Sequence, residues 1–316
     1  MLGVAVSAAL AVGGWLVYSD AQAQSASSPT FEPVLSTPAL QTARLSGLPW
    51  PSTGQAAVEI TGQADSLKVH GKQRPVPIAS VTKVMTALVI LRDHPLGRNA
   101  AGPSIRVDRQ AAIESGNQDE STVPIAEGQS FTERQLLELM LIPSGNNAAR
   151  LLARWDAGSE QAFVGKMNAA AARLGMKNTT YTGASGYEPT TVSTAVDQLK
   201  LAKQAMKNPV LRDIVATTET TVPGVAGTIV NTNKLLRLPG VVGLKTGTST
   251  PAGGALLWAA RPTSGDRDRL ILGVVLRQGD PDDTLEEKKQ AALVASRRLI
   301  VAAQRSLTPR GWAARR

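Results

Sequence analysis

The spacing of apolar positions changes several times along the chain, and each change marks an element. Ala56–Ile60 and Ser66–His70 read as short strands, with turn residues from Gly62 to Asp65 between them. Val81–Asp93 (VTKVMTALVILRD) is apolar on most faces at helical spacing, which predicts a helix buried nearly all round. Pro95 ends it. Thr132 and Gln135 form a capping-box pattern for a helix through Leu141. Pro143-Ser144-Gly145 breaks that helix, and another runs from Asn146 to Trp155. Ser159 caps a helix reaching about Leu174, with Gly175 as the stop. Thr194–Met206 reads as a further helix. Gly240–Thr248, Ala255–Ala260 and Leu270–Arg277 read as strands, and the last two (ALLWAA, LILGVVLR) are apolar enough to lie centrally in a sheet. Leu285–Ser306 closes the series as a long helix.

Short strands, then many helices, then strands and a last helix predict an α+β fold. The expected architecture is an antiparallel β-sheet flanked by the terminal helices, with a mostly helical subdomain inserted. The folded core is placed at 45–306. Ahead of it, Leu2–Tyr18 is uncharged and apolar, but short of the ~20 residues a spanning helix needs. Ala21-Gln22-Ala23 then suits signal peptidase. Residues 1–23 therefore read as a signal peptide, with an uncleaved membrane anchor as the alternative. Both readings export the protein to the cell envelope. Residues 24–44 read as a polar linker, and 307–316 as a basic, solvated tail.

Composition narrows the chemistry. The chain is 42% hydrophobic and 19% charged, which favours folding over disorder. The +9 charge suits an anionic surface or substrate, while 3% aromatics weighs against stacking on single-stranded nucleic acid. There is no cysteine, and only two histidines, His70 and His94. Thiol nucleophiles, thiolate metal sites and multi-histidine metal sites are excluded. Catalysis is left to hydroxyls, lysines and carboxylates.

Three motifs carry such chemistry. Ser80-Val81-Thr82-Lys83 places a hydroxyl and an amine three residues apart, on one helix face. A lysine of lowered pKa there can take the serine proton, beside the free N–H groups of a helix start. The alternative is a capping serine with a solvated lysine. Ser144-Gly145-Asn146 lies between two helices; its hydroxyl can relay a proton and its amide can bind a peptide carbonyl. The alternative is an ordinary helix cap. Lys245-Thr246-Gly247-Thr248 sits at a strand end, offering charge and hydroxyls to a carboxylate. Gly247 there admits close approach of an extended ligand. The alternative is an exposed strand end. Each motif alone is weak, but all three in this order arise by chance in fewer than about one chain in a thousand.

Together they resemble the D-alanyl-D-alanine carboxypeptidases among the low-molecular-mass penicillin-binding proteins. The flanks extend the resemblance: Pro77-Ile78-Ala79, Met85-Thr86, Asn147-Ala148-Ala149, the run FVGKMNAAAARLGMKNT, and Asn231–Leu236. Asn147 stands where many relatives carry Asp. The resemblance implies a β-lactamase/transpeptidase-like fold and a serine hydrolase without metal or organic cofactor. It implies that Ser80 is the nucleophile and Lys83 the base, with Ser144 and Lys245 delivering a proton to the leaving amine. Asn146 then holds the substrate amide, Thr246 and Thr248, with Lys245, bind the terminal carboxylate, and Gly247 belongs to the same substrate-binding strand. The implied partners are peptidoglycan stem peptides ending in D-Ala-D-Ala and β-lactam inhibitors, not nucleic acid. Three rivals remain. An endopeptidase would use the same site. A class A β-lactamase needs a Glu-x-x-Leu-Asn loop, which neither Glu160 nor Glu188 begins. A non-catalytic wall-binding or β-lactam-sensing protein has no need for all three of Ser80, Lys83 and Lys245.

Overall fold

In its computed structural model the chain is described at Leu45 and over residues 47–263 and 269–307. The expected leader, the linker and the tail beyond Leu307 lie outside the described residues. Five strands form the main sheet: β1 (Gln55–Ile60), β2 (Lys68–His70), β3 (Val241–Ser249), β4 (Gly253–Ala260) and β5 (Ile271–Gln278). Their order is β2-β1-β5-β4-β3, and every neighbouring pair is antiparallel. The two segments expected to be central, β4 and β5, are central and almost wholly buried.

Period-two alternation divides these strands between two cores. Leu256, Trp258 and Ala260 of β4 and Ile271 and Val275 of β5 face one of them. There they meet Ala292, Leu299 and Ile300 of the last helix, α8 (Leu285–Ser306). Leu257, Ala259, Leu272, Val274 and Leu276 face the other core, shared with the helical block. Gly273 pairs with Trp258, and a Cβ on it would lie 2.0 Å from the indole ring, so a side chain there would displace the largest residue of the sheet.

Between β2 and β3 the chain builds seven helices: α1 (Lys83–Asp93), α2 (Arg109–Glu114), α3 (Glu133–Leu141), α4 (Asn146–Ala157), α5 (Glu160–Arg173), α6 (Ala195–Ala205) and α7 (Pro209–Ala216). Helices flank the sheet and a mostly helical block is inserted, as expected. Of the described residues, α8 covers one face, and the opposite face is covered by the inserted block, chiefly α6. The apolar face of a central strand must be buried on both sides, and only the insertion brings enough apolar surface to the second.

Helix ends follow their caps. Thr132 accepts from the Gln135 backbone N–H and the Gln135 side chain returns the bond, so α3 starts where the capping box predicted. Ser159 and Thr194 cap α5 and α6 in the same way, each with one accepted N–H. The acidic run before α8 is a helix start as well: Thr284 and Glu287 form a capping box, and Asp283 accepts from the Asp280 N–H at 2.8 Å.

Candidate active site

The buried helix does not begin as a regular α-helix. Ala79–Thr82 forms a 3-10 turn that leads into α1 at Lys83. Ala79 holds a left-handed φ of 47°, a conformation costly for a residue with a Cβ. The turn has no side-chain cap, so Ser80 is not spent as a helix-capping serine. Its hydroxyl is left for Lys83, whose Nζ lies 2.8 Å from Ser80 Oγ.

Lys83 is fully buried, which contradicts the solvated-lysine alternative. Its amine also donates to Asn146 Oδ1 at 2.5 Å and to the Ser185 carbonyl at 2.8 Å. Both partners are acceptors only. Two N–H bonds satisfy them, and the third tetrahedral position faces Ser80. A neutral amine presents its lone pair there; an ammonium presents a third N–H. The same arrangement therefore holds the base before and after it takes a proton. Burial pushes the Lys83 pKa far below the ordinary lysine value, and the charges of Lys245 and Arg150 push it further. Glu120 and Glu188 oppose them.

Lys245 reaches the same neighbourhood from β3. It too is buried, and burial brings its pKa down to about 7. Its amine donates to the Thr246 carbonyl at 3.1 Å and lies 3.5 Å from Thr232 Oγ1. Thr232 and Thr246 share a hydroxyl contact of 2.7 Å. Thr232 also donates its N–H to the Ile142 carbonyl, which ties the strand-end motif to the segment entering Ser144. Ser144 itself is buried with φ at 75°, again left-handed. Its hydroxyl makes no hydrogen bond among the described residues, to Ser80, Lys83 and Lys245 included.

Gly247 packs against the turn that carries Ser80. A Cβ on it would lie 2.7 Å from the Ile78 carbonyl, 3.1 Å from Val81 N and 3.2 Å from Ser80 N. On the side where a Cβ would lie, the backbone that comes close to Gly247 is the nucleophile's own turn. Its missing side chain lets β3 press against that turn, placing Ser80 N beside the strand that carries Thr248.

The sequence reading missed Glu120, Arg150, Thr232 and the Ser185 carbonyl. Arg150 lies on α4 and is 8% exposed, with both terminal nitrogens on the Glu120 carboxylate at 2.9 and 2.7 Å. A buried arginine needs an anion, and that was the one available signal. Asn147 is fully buried. It accepts from Val123 N at 3.0 Å and donates to the Val123 carbonyl and Ser115 Oγ, each at 2.9 Å. These bonds use the amide's donors, so Asn suits the position for a structural reason.

Comparison with known proteins identifies the family. The family model described as D-alanyl-D-alanine carboxypeptidase matches residues 57–278. The carboxypeptidase DacB2 of Mycobacterium tuberculosis is 36% identical over 240 residues, covering 72% of this chain and 78% of that one. DacF of Bacillus subtilis is 33% identical over 183 residues, 56% of this chain and 46% of its own, so the chain spans under half of that relative. Proteins named D-alanyl-D-alanine endopeptidase match as well, at 33% or 34% identity. Among solved structures, the Streptomyces K15 DD-transpeptidase superposes with a TM-score of 0.69 at 25% identity, over 80% of this chain and 98% of that one. The fold is that of the DD-peptidases and serine β-lactamases, and the chain belongs to the D-alanyl-D-alanine carboxypeptidase family.

Proposed function

We propose that this protein removes the terminal D-alanine from peptidoglycan stem peptides through an acyl-enzyme on Ser80. The observation that carries the reading is the Lys83 amine. It is buried, fixed by Asn146 and Ser185, and 2.8 Å from a hydroxyl that caps nothing.

Ser80 Oγ attacks the carbonyl between the last two D-alanines, and its proton passes to neutral Lys83. The N–H groups of Ser80 and Thr248 receive the oxyanion, in a site made tight by Gly247. The C–N bond breaks, and the D-alanine nitrogen leaves with a proton relayed through Ser144, whose hydroxyl is uncommitted. Lys245 assists that proton delivery and supplies charge for the substrate carboxylate, with Thr246 and Thr248 as donors. Asn146 holds the peptide amide. Water then attacks the ester, releasing the shortened peptide and restoring Ser80. A β-lactam acylates the same oxygen. Leu2–Tyr18 and Ala21-Gln22-Ala23 support export as the route to this substrate, with the leader either cleaved or kept as an anchor.

The two lysines give the reaction a bell-shaped pH dependence. Lys83 must be neutral, so kcat/KM rises with pH through its lowered pKa. Lys245 must be charged, so kcat/KM falls as pH rises through about 7. Burial first, and then the charge of Lys245, lower the Lys83 pKa. Replacing Lys245 by methionine is expected to remove the alkaline limb of β-lactam acylation. An alkaline limb that persists in this variant would assign it to another group.

Incubation with a pentapeptide ending in D-Ala-D-Ala tests the reaction. Free D-alanine and a tetrapeptide are the expected products. Cleavage of cross-linked dimers alone would make the protein an endopeptidase. Acylation by penicillin with no peptide turnover would make it a β-lactam sensor.

A further inference from the structure

Asn146 has two jobs that compete for one small amide. Its Oδ1 accepts from Lys83, and its Nδ2 must donate to substrate. An asparagine side chain rotated by half a turn exchanges the two ends, and nothing in its own shape prevents this. Flipped, it would present N–H groups to the amine of Lys83 and an oxygen to the substrate carbonyl, which is wrong at both ends.

The surroundings remove that freedom. Asn146 Nδ2 makes a short hydrogen bond to Glu120 Oε2. The same carboxylate takes both terminal nitrogens of Arg150, and Asn117 Nδ2 at 3.0 Å. Its side chain is 4% exposed. Burial pushes the Glu120 pKa up, but the hydrogen bonds from Arg150 and Asn146 outweigh it and hold the group below the usual carboxylate range. Ionised, it can only accept. The end of the amide facing it must therefore be the NH2, and the oxygen must face Lys83. One N–H goes to Glu120, and the second has no partner among the described residues.

Glu120 is itself held in place. The Asn146 backbone N–H donates to the Ser121 carbonyl at 2.8 Å. Asn147 and Ser115 bind Val123 on the far side of the same loop. The Tyr187 ring lies 5.8 Å from the Arg150 guanidinium carbon, covering the other partner of the ion pair.

We propose that Glu120, clamped by Arg150, is a positioning residue that fixes the Asn146 amide with its oxygen on Lys83 and one N–H reserved for substrate. Glu120 touches no reacting atom in this account and acts through Asn146. The inference rests on the acyl-enzyme reading above. It adds that the base and the substrate anchor are set by one ion pair outside the three motifs.

Acylation by a fluorescent penicillin, measured as a rate against pH, tests it. Glu120→Gln keeps one oxygen within reach of the Asn146 amide but loses the acceptor-only carboxylate, so its plateau rate is expected to fall between those of the unsubstituted chain and Glu120→Ala. Glu120→Ala frees the amide and should slow acylation by about ten- to a hundredfold, the cost of a misplaced group. The charge change has a separate signature. Lys83 is faced by Lys245 from β3, Arg150 from α4, and Glu120 and Glu188 from two loops; the cations lower its pKa and the carboxylates raise it. Removing the charge at 120 lowers it further, so the acid limb of Glu120→Gln should move to lower pH. A loss of packing alone would not move that limb. The inference is overturned if Glu120→Ala acylates within twofold of the unsubstituted chain, if Glu120→Gln is as slow as Glu120→Ala, or if the acid limb of Glu120→Gln stays in place. If Glu120→Ala does not fold, the rate and acid limb of the isosteric Glu120→Gln decide the matter. Failure of the unsubstituted chain to acylate would instead refute the acyl-enzyme reading.

Discussion

Lys83→Ala is expected to lower the rate of penicillin acylation by about two to four orders of magnitude, the usual contribution of a general base. The fold should survive. The substitution removes a buried amine whose desolvation is unfavourable, while leaving the Ser185 carbonyl and Asn146 Oδ1 without their donor. These effects oppose each other, so far-ultraviolet circular dichroism should match the unsubstituted chain. The alkyl stem is also lost from a core containing Val84, Met85 and Ala87, so a modest drop in Tm is expected. The decisive comparison is between rate and fold. Retained acylation in a folded Lys83→Ala protein would mean that another group takes the Ser80 proton. Lys245 is the nearest alternative, because it shares the burial and has a pKa near 7.

Ser80→Ala is expected to have the larger effect. No covalent adduct should form, and D-alanine release from the pentapeptide should fall by more than about a thousandfold. Little structural change should accompany it. Ser80 is partly exposed and makes no helix cap, so its hydroxyl can go without disturbing the 3-10 turn. Substrate should still bind, because Lys245, Thr246 and Asn146 are untouched. A residual rate close to that of the unsubstituted chain would move the nucleophile elsewhere, with Ser144 the first hydroxyl to examine.

Much of this fold was legible because its signals are local. The capping box at Thr132 and Gln135 fixed the start of α3, and the left-handed Gly175 fixed the end of α5. The strands β4 and β5 were legible from continuous apolar runs. Residues 94–131 and 207–239 yielded no elements, although they contain α2 and α7. The first is only six residues long, below the length at which helical periodicity is visible. The second opens on Pro209 at its first turn, where proline is favourable but also resembles a stop.

The site shows the same division. Ser80 and Lys83 are three residues apart, so helical geometry alone brings them together. Asn146 is 63 residues from Lys83; it was legible as a loop amide able to bind a peptide carbonyl, but its bond to Lys83 was not. Glu120 carries no motif: it sits in a polar loop, and its role depends on Arg150, 30 residues away. The Ser185 carbonyl was beyond reach, because a backbone acceptor leaves no trace in residue type. Ser144 was legible as a loop hydroxyl. Its left-handed backbone follows from tertiary packing.

The central claim is that a buried, neutral Lys83 activates Ser80 for acylation. The most direct measurement is mass spectrometric mapping of the protein after brief exposure to penicillin near pH 7. The account predicts one acyl adduct, on the peptide containing Ser80, absent from Ser80→Ala and strongly slowed in Lys83→Ala. An adduct on Ser144 or any other residue, or no adduct on the unsubstituted chain, would contradict it.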